Sequence, residues 1–74
     1  MEGDIIKRPV KSSKILSIGY DVKSKKLEIA FRSGRKYQYL NVPKSEHEKL
    51  MSAKSHFTYF QQNIRDHYRW VKKR

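Results

Sequence analysis

Between Leu27 and Tyr39, apolar and polar residues alternate on both sides of a Ser33-Gly34 turn, and this pattern constrains the fold more tightly than any other stretch. Leu27, Ile29 and Phe31 alternate with Glu28, Ala30 and Arg32; after the turn, Tyr37 and Tyr39 alternate with Lys36 and Gln38. Two such runs joined by so short a link form an antiparallel hairpin, and loop length decides which side chains share a face. A three-residue loop, Arg32-Ser33-Gly34 with Gly34 in the left-handed region, sets Phe31 opposite Arg35, Ile29 opposite Tyr37 and Leu27 opposite Tyr39. A two-residue loop pairs Ala30 with Tyr37 and Glu28 with Tyr39, which turns Lys36 and Gln38 into the core. Burying an unpartnered ammonium group costs several kcal/mol, and the shorter loop also demands a positive φ at Ser33. The three-residue loop is therefore expected, with Tyr37 and Tyr39 as core residues and not as an exposed platform for bases.

The same period of two runs upstream, where Leu16, Ile18 and Tyr20 share a face and Ser17 and Gly19 share the other, before a turn at "DVKSKK". Downstream, Val42-Pro43 closes the sheet, and "KSEHEKLMSA" reads as a helix with Ser45 as its cap, Leu50 and Ala53 facing inward and His47 beside them. A second helix is expected to start near Ser55, since Phe57, Phe60 and Ile64 recur at the spacing of an apolar stripe while Asn63, Arg65 and Asp66 face water. The tail "HYRWVKKR" suits either a short edge strand or an ordered coil. The expected fold is thus α+β: a three-stranded antiparallel meander packed against two C-terminal helices, with room for one extra C-terminal strand. Residues 1–12 are expected to form a basic flexible arm, residues 13–71 a single domain, and residues 72–74 a basic tail.

A chain of 74 residues can bury one modest core and leaves little volume for an enclosed catalytic cavity. It contains no cysteine, which excludes disulfides and thiolate chemistry and fits a reducing compartment, so a cytoplasmic location is expected. No run approaches the ~20 apolar residues of a membrane span, and the N-terminal stretch lacks an apolar signal core. Eighteen Lys and Arg against seven Asp and Glu leave a net charge of +11, a surface that attracts polyanions and gains affinity by releasing their counterions.

Several short stretches together resemble the KTSC domain, named for its occurrence at the C-terminus of some lysyl-tRNA synthetases and also found as a small stand-alone bacterial or phage protein. They are Ser12-Ser13, "IGYD" from Ile18 to Asp21, "LEIAFRSG" from Leu27 to Gly34, "YQY" from Tyr37 to Tyr39, Val42-Pro43, and "NIR" from Asn63 to Arg65. The resemblance implies a domain without an assigned activity, for which the synthetase fusion suggests RNA binding. The chain departs from the family pattern at Lys25 and Phe57, where glycine is usual, and at Gln61, where asparagine is usual. Lys25 in a left-handed turn position would carry ~1 kcal/mol of strain.

No nucleophile elbow, phosphate loop or metalloprotease motif is present, and His47, His56 and His67 lack the close spacing of a metal site. No enzyme, cofactor or metal centre is expected. The function expected first is a nucleic-acid-binding module, for RNA or a single strand before duplex DNA, that grips phosphates with little base specificity. Its candidate phosphate ligands are Arg32 and Arg35 at the hairpin tip with Lys36, and Arg65, Arg69 and Lys72 toward the C-terminus. Tyr68 and Trp70, interleaved with those cations, would supply stacking planes, although Trp70 could equally cover the sheet edge. No helix reads as a major-groove recognition helix. The alternative is a protein-interaction domain whose basic surface or open sheet edge meets an acidic or strand-donating partner.

Overall fold

A computed structural model describes residues 6–73. Five strands, β1 (Ile6–Pro9), β2 (Ile15–Asp21), β3 (Lys26–Phe31), β4 (Lys36–Tyr39) and β5 (Trp70–Lys73), form one antiparallel sheet in the order β1-β2-β3-β4-β5. Between β4 and β5 the chain forms α1 (Lys44–Ser52) and α2 (His56–Asn63), whose buried Leu50 and Phe60 join the sheet's core cluster. The class is α+β as expected, but the sheet has five strands instead of three. β1 lies inside the segment expected to be a flexible arm, and β5 runs into the expected tail; residues 1–5 and 74 of those segments lie outside the described residues. Both added strands are edges, and each carries features that protect an exposed edge from pairing further: Pro9 on β1, Lys72 and Lys73 on β5.

The hairpin of β3 and β4 has the register derived from the turn. Leu27 pairs with Tyr39 and Ile29 with Tyr37, Phe31 N–H donates to the Arg35 carbonyl at 2.8 Å, and Gly34 sits at φ +98°. Tyr39 is buried in the core; Tyr37 is half-buried against it, edge-on to Phe31.

In β2, strict alternation fails at one point. Ile15 pairs with Phe31 but Ser17 pairs with Ala30, so a β-bulge places two residues of β2 opposite one of β3. The extra residue flips the face: Ile15 is fully buried and Leu16 is 46% exposed, the reverse of the expected assignment for Leu16. Ile18 and Tyr20, beyond the bulge, face the core as expected.

The turn between β2 and β3 is held by Asp21, whose carboxylate accepts from Lys23 N–H at 3.0 Å and from the Ser24 hydroxyl at 2.7 Å. These bonds, the hydroxyl's first, keep its pKa below the ordinary carboxylate value. Lys25 follows at φ 58°, a left-handed conformation that side chains with a Cβ disfavour. Its N–H donates to the Asp21 carbonyl and its own carbonyl accepts from Val42 N–H, so the strained geometry is locked from two sides. Lys25→Gly is expected to relieve ~1 to 2 kcal/mol of strain while loosening the unfolded chain by somewhat less. The net gain, about 0.5 to 1 kcal/mol, is measurable as a rise of roughly 4 °C in Tm; a fall in Tm would show that the loop carries no strain.

The first helix is capped two residues earlier than expected. Pro43, not Ser45, occupies its N-cap and no side chain caps it; the fixed φ of proline is already close to that of a helix. The second helix is capped by Ser55, whose hydroxyl accepts from Thr58 N–H, as expected. Phe60 and Ile64 are buried and Phe57 packs at the margin of the core.

Candidate functional site

The side of the sheet covered by the helices is not closed along its whole length. Between β4, β5 and α2 lies an open cleft of about 400 Å³ lined by Phe31, Tyr37, Tyr39, Phe57, Phe60 and Trp70, with Arg65 and Asp66 at its rim. The backbone sets each wall. Tyr37 and Tyr39 alternate toward this side along β4, and Trp70, opposite Tyr39 on β5, lies edge-on to Tyr37 with ring centroids 5.2 Å apart. Phe60 meets Phe31 and Tyr39 edge-on. Arg65 and Asp66 leave α2 immediately after Ile64, which is fully buried and anchors that end.

Cations gather at the hairpin-tip end of the sheet, on either side of the β3–β4 hairpin. Lys72, paired with Tyr37 across the β4–β5 ladder, shares a shallow hollow with Arg35 and Lys73 at the hairpin tip. On the opposite flank Phe31 and Phe57 also line a hollow with Lys14 and Arg32, where the Lys14 ammonium lies 4.7 Å from the centre of the Phe57 ring. The Arg32 Nε–H donates to the Ser12 carbonyl at 2.7 Å.

Of the candidate residues, Arg65 and Trp70 line the aromatic cleft, Arg32 lines the hollow that shares Phe31 and Phe57 with it, and Arg35 and Lys72 line the hollow at the hairpin tip. Lys36 pairs with Lys73 on the other face of the sheet. On that face Glu28 is 5% and Ala30 9% exposed, and Gln38 donates to Glu28 at 3.1 Å. Arg69 is exposed next to Trp70, and its carbonyl accepts from Leu40 N–H, docking the start of β5 onto the end of β4. Trp70 packs edge-on to Tyr37 at the sheet edge and remains 52% exposed.

Tyr68 braces the fold through its hydroxyl. Its hydroxyl donates to one oxygen of Glu46 at 3.3 Å, and the Tyr59 hydroxyl donates to the other. One carboxylate in the first turn of α1 therefore ties α2 and the segment leading into β5 together, which fixes where Trp70 stands. Burial, with the Glu46 carboxylate adding to it, pushes the Tyr59 phenol up to about 12 and raises that of Tyr68. Sequence reading missed this brace, and missed Lys14. Neither has a local signal, because the partners are 13 and 22 residues apart for Glu46 and Lys14 meets Phe57 only through the fold.

A second, smaller hollow of about 260 Å³ lies between β1, β2 and α1, lined by Arg8, Ile18, Tyr20, Lys44, His47 and Met51 among others. His47 stacks on Tyr20 at 4.7 Å, and burial lowers its pKa. Among the described residues no group of His, Asp and Glu is arranged to hold a metal ion, and no helix is long and apolar enough to cross a membrane.

The model of the KTSC domain family matches residues 11–68. The chain belongs to the KTSC family. The fold is similar to the crystal structure of a KTSC domain protein from Yersinia pestis, with a TM-score of 0.92 and 42% identity over 96% of this chain and 100% of that one. An uncharacterised protein of Stutzerimonas stutzeri (strain A1501) is 37% identical over 62 residues, 82% of this chain and 87% of its own. Within the KTSC domain the Tyr37-Gln38-Tyr39 motif thus supplies one wall and the floor of the cleft.

Proposed function

We propose that this KTSC domain is a binding module for single-stranded nucleic acid, RNA before duplex DNA, without catalysis. The observation that carries the reading is the placement of Lys14 and Arg32 on one flank, and Arg35 and Lys72 on the other, of a cleft whose walls are aromatic and open to solvent. Cations supply the counterion-release affinity for phosphates, and aromatic walls supply stacking surfaces for bases that are not paired. A duplex keeps its bases stacked and offers such a cleft nothing. The net charge of +11 accelerates the encounter with any polyanion.

The test is a fluorescence anisotropy titration of nuclease-treated protein with single-stranded RNA, hairpin RNA and duplex DNA of equal length over a range of salt. Single-stranded RNA should bind tightest, with a log-log salt slope of about −3, the value for four phosphate contacts on a single strand. Equal affinity for every polyanion, lost near physiological salt, would refute the reading. It would leave the second one, in which an acidic strand adds to the exposed edge of β5, whose four residues are all exposed.

A further inference from the structure

The charged side chains that line the cleft are one consecutive pair. Arg65 and Asp66 are consecutive, both exposed at the rim, and both act electrostatically on the Tyr39 hydroxyl at the cleft floor in opposite senses. They therefore bring a donor-only guanidinium and an acceptor-only carboxylate into the lining of one aromatic slot. Its volume of about 400 Å³ lies in the range of small-ligand pockets, which are mostly apolar with a few convergent polar groups.

The four RNA bases differ in how they meet such a pair. Guanine alone presents a carbonyl acceptor followed by two parallel N–H donors along its Watson–Crick edge (O6, N1–H and N2–H). Those two donors fit both oxygens of one carboxylate, and the neighbouring O6 fits a guanidinium. Uracil, adenine and cytosine each offer a carboxylate one donor group on that edge, flanked by acceptors that repel the second oxygen.

We infer that the cleft holds one unstacked guanine of a single strand, its ring against Trp70, its N1–H and N2–H on Asp66 and its O6 on Arg65. This rests on the nucleic-acid reading above and adds a base preference at one position to an otherwise sequence-tolerant grip. Strand polarity aside, the flanking phosphates run from the Lys14 and Arg32 flank to the Arg35 and Lys72 flank. The exposed carboxylate of Asp66 in a chain of such positive charge then has a role: it excludes bases that present acceptors there, which is discrimination by repulsion.

The experiment uses the full chain and three RNA nonamers, read by anisotropy at one near-physiological salt concentration: all uridine, uridine with one central guanosine, and uridine with one central inosine, which keeps O6 and N1–H but lacks the N2 amine. The guanosine strand should bind about tenfold tighter than all-uridine, the size of one good bidentate base contact, with inosine between them. Asp66→Asn should bring guanosine and uridine within about twofold of each other. Equal affinities for the three strands on the unaltered chain, with binding retained, would overturn the guanine site and leave the module standing. No binding to any strand would overturn both. The inosine comparison needs no variant, so the inference stays refutable even if Asp66→Asn perturbs folding.

Discussion

Phe60→Ala is expected to remove most of the domain's stability, whereas Phe57→Ala, three residues earlier on the same helix, should cost far less. Phe60 is 3% exposed and meets Phe31, Tyr39 and Phe57, so it links α2 to both strands of the central hairpin. Truncating a buried phenylalanine costs about 3 to 5 kcal/mol, the lost transfer energy plus the cavity left behind. A chain of this length has roughly 4 to 11 kcal/mol in all, and the neighbouring Ile64 and Leu50 belong to other anchor points and cannot move far enough to fill the space. Phe57 packs at the margin, with a lysine over its ring, and its loss should cost about 1 kcal/mol. Urea denaturation followed by far-ultraviolet circular dichroism measures both. Equal midpoints for the two variants would show that α2 is not held through Phe60.

Charge reversal at Arg35 and Lys72 together should weaken binding of single-stranded RNA about 100-fold at physiological salt and leave Tm unchanged. Both side chains are exposed, where substitutions away from packed features shift stability by about 0.5 kcal/mol or less. Each lost phosphate contact also lowers the salt slope by about 0.7, so the double variant should read a slope shallower by more than one unit. Lys36→Glu is the matched control. Its position on β4 directs it to the opposite face, and screening over about 8 Å confines its influence, so its effect should stay within a few-fold. An equal loss from Lys36→Glu would mean that the ligand feels net charge and not this surface. An unchanged affinity in the double variant would remove the hairpin tip from the site.

The hairpin register was legible because two local penalties point the same way: the cost of burying Lys36 and the cost of a positive φ at Ser33. The α2 stripe and the Ser55 cap were legible for a related reason, since helix periodicity and capping act within a few residues. The cleft was only half legible. Its aromatic and basic members stand in the sequence as separate groups at positions 14 to 39 and 57 to 72, and nothing local states that they converge. Tyr68 and Trp70 illustrate the limit: two aromatics in one basic run, of which one is tied to Glu46 and the other opens on the cleft.

By itself, then, the sequence determined the α+β class, the central hairpin with both tyrosines turned toward the helices, the apolar face of α2, and a surface of high positive charge. Each of these follows from side-chain pattern, turn chemistry or composition, terms that act over a few residues or over the whole chain at once. Only the tertiary structure decided the two edge strands, the bulge that exchanges Leu16 for Ile15, the Glu46 brace and the placing of Lys14, Arg32, Arg35 and Lys72 at one end of the sheet. Edge strands are stabilised by backbone hydrogen bonds to a neighbour, which any sequence such as "IKRP" or "WVKK" can make on one side. A bulge is set by what the next strand requires. Contacts between residues far apart in the chain are fixed by packing alone, and packing is a property of the whole fold.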